Sequence, residues 1–392
     1  SLRRGCCGRY SRFALAYSYY EVHSVPVFGA GCTCMMAGPR TPPPPIVMAD
    51  VRIISIPLAH SVTDREVPLH MSSLNLSDIP VGASVTVRVP ATSANLGPGY
   101  DSLGLGLGFY DELRVERIES GLEFELTGEG SAEVPRNENH LVVRAMKAAF
   151  EAAGLEELPP LKLIADNKIP HSRGMGSSAS AIVAGVAAAS ALLPEEHRLD
   201  RERMLQVASD MEGHPDNVAP AIYGNLSVSW GQLGEWHSLI IPVHPQVRPV
   251  VAVPDYEVST KLARSLIPAE IPHARAAANS ARSALLVRSL SDAPEYLMDA
   301  TVDYLHQGYR VPAMEPSAAL VAFLRERGLA AVISGAGPTV LTFARGDEQV
   351  QQAAEAIAEF EAQSPASEVE DRRLKWRVLP LEIDTEGVIV TQ

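Results

Sequence analysis

Hydrophobic and polar residues alternate with period two over residues 83–90, 112–118 and 122–127, the pattern of half-buried strands. The last two of these read as paired strands. From Asn139 to Ala153 the apolar positions Leu141, Val142, Ala145, Met146 and Ala149 fall at helical spacing. Residues 161–165 read as a strand, 177–192 as an Ala-rich helix, 201–212 as a second helix and 225–230 as a strand. The second half repeats the mixture, with strands near 248–253, 331–335, 339–344 and 375–383 and helices near 274–290, 314–327 and 348–361. Several strands are adjacent in sequence, which favours α+β layers over a regularly wound parallel sheet.

The first 70 residues differ from the rest. They carry seven Arg, no Lys and four acids, a net +3, whereas the 392-residue chain totals −14, so the remainder carries −17. All four cysteines (Cys6, Cys7, Cys32, Cys34) lie there, and four consecutive prolines at 42–45 forbid helix or central strand. Three readings of this leader stand open. It is an Arg- and Ser-containing transit peptide, a weak secretory segment around 13–20, or upstream sequence read in frame with Met71 or Met48 as the working start. A zinc site on the four cysteines is disfavoured by their spacing. The working protein is then expected to be cysteine-free and about 320 residues long, on the domain-length prior.

Hydrophobic residues make up 46% of the chain, ample for a packed core. No run approaches the roughly 20 apolar residues of a membrane span, so no membrane partner is expected. The acidic balance argues against nucleic acid.

Four motifs carry candidate chemistry. In Ile169-Pro-His-Ser-Arg-Gly-Met-Gly-Ser-Ser-Ala-Ser180, two glycines permit close backbone approach just before a helix, whose unpaired N–H groups attract anions. Gly174, Gly176, Ser177 and Ser178 are the candidate phosphate-binding residues. The sequence is not a Walker A loop, and a Gly-Ser turn capping a core helix is the plain alternative. In Val89-Pro-Ala-Thr-Ser-Ala-Asn-Leu-Gly-Pro-Gly-Tyr-Asp101, Asn95 and Asp101 bracket a Gly-Pro-Gly turn able to aim both into one cleft. They could equally satisfy the turn's own backbone. Glu212-Gly-His-Pro-Asp-Asn217 sets two carboxylates, an imidazole and an amide at a helix end. Ile333-Ser-Gly-Ala-Gly-Pro-Thr-Val340 is either a hairpin connection or a loop approaching phosphate or substrate.

Together and in this order, these motifs resemble those of the GHMP small-molecule kinases. Ala-Thr-Ser-Ala-Asn-Leu-Gly-Pro-Gly-Tyr-Asp and Glu-Gly-His-Pro-Asp-Asn look like the homoserine kinase family within them. Ser259-Thr-Lys-Leu-Ala-Arg-Ser-Leu-Ile-Pro268 and the Tyr309-Arg310 region agree. The resemblance spans about residues 83–383. Small departures are Met175 for the usual Leu, Ser180 for Ala and Tyr100 for Phe.

The resemblance implies an α+β, two-domain GHMP kinase fold. Residues 71–240 would form a nucleotide-binding domain with ribosomal-protein-S5-like topology, and 241–392 a ferredoxin-like α/β domain. It implies ATP as co-substrate, its triphosphate wrapped by the backbone of the loop from Pro170 through Met175 to Ala179, Mg²⁺ held at Ser178 and Glu212, and Asn139 as a further nucleotide contact. L-homoserine would be bound through Arg264 and Arg310 at its carboxylate and through Asp216, beside His214, at its ammonium. Thr260 would line the pocket, and Asn95, Asp101 and Asn217 would orient the hydroxyl. No dedicated general base is evident. A homodimer and a cytoplasmic location are expected by analogy, with a plastid as the alternative if the leader is a transit peptide. The rivals are a mevalonate- or sugar-type kinase of the same superfamily, and a non-catalytic nucleotide-binding regulator.

Overall fold

The computed structural model describes residues 74–364 and 374–392. The leader, its cysteines and the readings of it lie outside the described residues.

The first sheet has seven strands, β1 (Ser84–Ala94), β2 (Leu103–Arg117), β3 (Leu122–Gly128), β4 (Leu161–Asn167), β5 (Leu226–Gln232), β6 (Glu235–Ile241) and the C-terminal β11 (Ile389–Thr391). Its main path runs β11-β1-β2-β4-β3, with β5 joined to the start of β2 and β6 to β5. The second sheet is antiparallel in the order β10-β7-β9-β8, from β7 (Val247–Pro254), β8 (Ala330–Ile333), β9 (Val340–Arg345) and β10 (Trp376–Pro380). The α+β expectation holds.

Two expectations need correction. The strands near 112–118 and 122–127 do not pair with each other: β4 lies between them, antiparallel to β2 and parallel to β3. The cause is burial. Leu161 and Leu163 of β4 are fully buried, whereas β3 exposes every second residue and suits an edge. The strand expected at 112–118 is also longer than the alternation shows, since β2 begins at Leu103. A Cβ on Gly104 would lie 1.8 Å from the Asp216 carbonyl oxygen, so this strand is glycine-rich because another backbone crosses it.

Helices α1 (Leu141–Ala153), α2 (Ser177–Leu192), α3 (Arg201–Glu212) and α4 (Val218–Tyr223) cover the first sheet. The Ala-rich α2 is buried along most of its length. Its small side chains allow close approach: a Cβ on Gly185 would lie 2.6 Å from the Val142 carbonyl oxygen of α1. Helices α5 (Thr260–Ser265), α6 (His273–Ser291), α7 (Leu297–Ala300), α8 (Gln307–Arg310), α9 (Glu315–Glu326) and α10 (Gly346–Gln363) belong to the second half of the chain. The short α4, α5, α7 and α8 and strand β6 have no counterpart in the sequence reading. The helices, at four to six residues, carry too few turns to show a period. No helix among the described residues is long and apolar enough to cross a membrane.

Candidate active site

A cleft of about 410 Å³ opens between the start of α2, the turn after β1, the end of α3, and residues from α5, α8 and the β8–β9 connection. Among the sequence-proposed residues its lining includes Asn95, Asp101, Asn139, Pro170, Gly174, Gly176, Ser177, Ser178, Glu212, His214, Asp216, Asn217, Thr260, Arg264 and Arg310. The other two, Met175 and Ala179, have fully buried side chains, so only their backbones could meet a ligand.

One end of the cleft is formed by the loop that opens α2. Gly174 and Gly176 take φ of 74° and 70°, where other residues are strained, and Gly176 caps α2. A Cβ on Gly176 would sit 1.9 Å from Thr92 Oγ1, and one on Gly174 would sit 2.3 Å from the Ser334 carbonyl oxygen. The loop is also held from outside. Ser334 Oγ donates to the Gly174 carbonyl at 2.5 Å, and Asp111 accepts from the backbone N–H groups of Lys168 and Ile169 at 2.6 and 2.9 Å. Burial pushes the Asp111 carboxyl pKa up, partly offset by these two bonds. Ser178 Oγ donates to Glu212 Oε1 at 2.6 Å, so the two residues of the expected metal pair do meet across α2 and α3. Gly213, in the left-handed conformation, ends α3 right after Glu212.

The other end is built on the turn of residues 95–101. Asn95, Leu96 and Asp101 all have positive φ, at 66°, 50° and 53°. Each such residue costs about 1–3 kcal/mol, and it persists when neighbours over-determine it. Asn95 accepts from the Asp101 N–H at 2.9 Å and donates from Nδ2 to the Gly335 carbonyl at 2.8 Å. Asn95 thus binds one backbone group of its own turn and one of the β8–β9 connection, the backbone-satisfying role left open by the sequence. Asn279 and Ser283 donate to the Pro98 carbonyl at 2.8 and 2.7 Å. Asn217 Oδ1 accepts from Thr92 Oγ1 at 2.8 Å.

The arginines differ. Arg264 forms a two-pronged pair with Asp101, at 2.9 and 3.1 Å, and also donates to Tyr100 at 3.1 Å. The Asp101 hydrogen bond, against partial burial, holds its pKa above the ordinary arginine value. Arg264 and Asp101 keep 41% and 36% of their side-chain exposure, so their pair is worth about 0–1 kcal/mol and is exchangeable. Arg310 is 2% exposed and donates to the carbonyls of Ala263 and Gly335 and to the ring of His306. Burial pushes its pKa down, although guanidinium stays charged.

His214 Nδ1 lies 2.5 Å from Asp216 Oδ1, and Asp216 is 1% exposed. Burial pulls the His214 pKa down, but the hydrogen bond and charge of Asp216 together with the charge of Glu212 outweigh it, and the net shift is upward.

Sequence reasoning missed His306, Asp303, Asn279, Thr92 and Ser334, which brace the site. The site partners of His306, Asn279, Thr92 and Ser334 lie far away in the chain, and a single polar residue does not name a distant partner. The Ser334–Thr339 connection is the β8–β9 hairpin turn, and it also faces the cleft through Gly335 and Ala336.

Comparison with known proteins places this geometry. Residues 140–225 match the model of the GHMP kinases N terminal domain, and residues 281–363 that of the GHMP kinases C terminal. A homoserine kinase of Leifsonia xyli subsp. xyli is 48% identical over 310 residues, covering 79% of this chain and 92% of that protein. One from Streptomyces coelicolor is 50% identical over 266 residues, covering 68% of this chain and 86% of that protein. In fold, the chain is similar to the crystal structure of a homoserine kinase from Cytophaga hutchinsonii, with a TM-score of 0.69 at 23% identity over 82% of this chain and all of that one. The mevalonate kinase of L. major shares the fold more distantly, at TM-score 0.54 and 16% identity over 76% of this chain and 95% of that one.

Proposed function

Because this chain belongs to the homoserine kinase family of the GHMP kinases, we propose that its cleft takes ATP at the α2 end and L-homoserine at the two-arginine end. The γ-phosphoryl group passes to the side-chain hydroxyl of L-homoserine, giving O-phospho-L-homoserine and ADP. One observation carries the assignment: an anion-binding helix start and a pair of guanidinium groups open into the same cleft. The family relatives favour this reading over a mevalonate- or sugar-type kinase, and the intact Ser178, Glu212 and Asp101 favour it over a non-catalytic regulator.

At the α2 end, the backbone N–H groups from Gly174 to Ala179 face phosphate oxygens without needing a lysine. Asn139, ahead of α1, contacts the nucleotide from the far wall. The Ser178 and Glu212 oxygens suit Mg²⁺, a hard cation that takes its other ligands from phosphates and water. No group of three or more His, Cys, Asp or Glu side chains suited to a metal exists among the described residues. When bound, the ion neutralises charge on the transferring phosphoryl group.

At the acceptor end, buried Arg310 is the fixed anchor for the substrate carboxylate. Arg264 is the exchangeable one, turning from Asp101 to the carboxylate as substrate enters. The acidic Asp216, held by His214, receives the ammonium, and Thr260 lines the wall. Asn217 keeps Nδ2 for the hydroxyl, whereas Asn95 acts by fixing the turn that carries Asp101. Positioning and charge neutralisation supply most of the acceleration, and no dedicated base is assigned. A cytoplasmic location and a homodimer rest on likeness to the family.

The test is ADP release followed with L-homoserine, mevalonate, galactose or no acceptor. Release that depends on L-homoserine is expected. Equal release with every acceptor, or release with mevalonate alone, overturns the assignment.

A further inference from the structure

His306 lies buried behind Arg310, at 1% exposure, and touches both halves of the acceptor end. Its Nε2 is 2.7 Å from the Gly97 carbonyl oxygen, in the strained turn, and its Nδ1 is 3.0 Å from Arg310 Nη1. The two partners fix the proton. A guanidinium only donates, so Nδ1 must accept, and a carbonyl only accepts, so Nε2 must carry the hydrogen. A charged imidazolium would turn an N–H toward the Arg310 N–H and is excluded by this geometry. Asp303 Oδ2 stands 3.7 Å from Nε2, but its oxygens accept from the backbone N–H groups of Leu305, His306 and Gln307. Tyr100 covers the ring face, with centroids 5.2 Å apart.

We propose that His306 is a positioning residue that locks Arg310 and the Gly97 turn to each other through a neutral, Nε2-protonated imidazole. The carboxylate anchor and the segment carrying Asp101 are then held in register by one side chain. Resting on the reading that Arg310 meets the substrate carboxylate, the lock sets where the hydroxyl sits relative to the phosphate. The recorded bonds of Arg310 use Nε and Nη1, and Nη2 is left for substrate among the described residues.

Two substitutions separate the halves of the lock. His306→Gln offers a donor near the Nε2 position and loses the Nδ1 acceptor. His306→Asn offers an acceptor near Nδ1 and loses the donor to Gly97. In His306→Gln the homoserine KM should rise about tenfold or more, the scale of one hydrogen bond to a charged group, with the ATP KM within about twofold. In His306→Asn, kcat should fall about tenfold with a much smaller change in homoserine KM. Equal changes in both parameters for both variants, or no change in either, overturn the proposal. A wild-type measurement serves if a variant fails to fold: two-bond ¹H–¹⁵N spectra of histidine-labelled protein should show a buried neutral imidazole protonated at Nε2. An Nδ1-protonated or charged ring there overturns the lock. Absence of homoserine-dependent turnover in the wild type would instead defeat the functional reading, and the spectra would still test the tautomer.

Discussion

The two ends of the cleft are built in opposite ways. The α2 end comes almost entirely from one continuous segment, residues 169–180, whose glycines and serines stand beside one another in the chain. The acceptor end is assembled from the 95–101 turn, the end of α3, α5, α8 and the β8–β9 turn. Its fixing bonds join residues 240 apart (Asn95 to Gly335), 209 apart (His306 to Gly97) and 163 apart (Arg264 to Asp101). A local site forms wherever its helix starts. A dispersed site exists only when both sheets and their helices are in place. Substrate selection should therefore be the more sensitive of the two to distant change, although Ser334 also reaches the α2 loop at Gly174 across 160 residues.

The largest effect expected from this contrast is in the local end. Gly174→Ala puts a Cβ 2.3 Å from a backbone oxygen at φ 74°. A displacement on the ångström scale should lower kcat/KM for ATP about 100-fold or more. An unchanged value would show that the loop does not hold the nucleotide. Arg264→Ala should come next, raising the homoserine KM about 10- to 100-fold while the ATP KM stays within about twofold. Equal changes in both would remove the carboxylate role and blur the division between the ends.

Asp101→Asn should lower kcat by less than about tenfold, because alignment dominates the proposed mechanism. A fall of about 100- to 10,000-fold at constant KM would instead assign Asp101 as general base. The smallest effect concerns pH. The raised His214 pKa means that the folded protein holds the proton more tightly than the unfolded chain. The resulting stabilisation is complete below about pH 6.5, the ordinary histidine value, and disappears as pH rises through the raised value. Between pH 6 and 9 the wild type should lose more in Tm than His214→Gln. Parallel curves would show that the His214–Asp216 bond carries no such linkage.

How much of this was legible follows the same contrast. The α2 loop, the capping glycine after Glu212 and most long elements show in the sequence because their signals are local. The family motifs also brought out the polar residues of the cleft. Asn95 illustrates the limit: its residue type and turn setting were visible, but its commitment to Gly335 and Asp101 was not. The pairing of β2 with β4 in place of β3 was likewise hidden, since alternation marks a strand without naming its neighbour.

The sequence by itself determined where glycines and serines open a helix, which segments alternate and which family the motifs resemble, because each depends on residues within a few turns of chain. Tertiary structure alone decided that Arg310 is buried while Arg264 stays part-exposed against Asp101, that His306 joins Arg310 to the turn, and that Gly104 yields to the Asp216 backbone. Those outcomes depend on which distant surfaces meet and exclude water, and burial of that kind is a property of the packed whole.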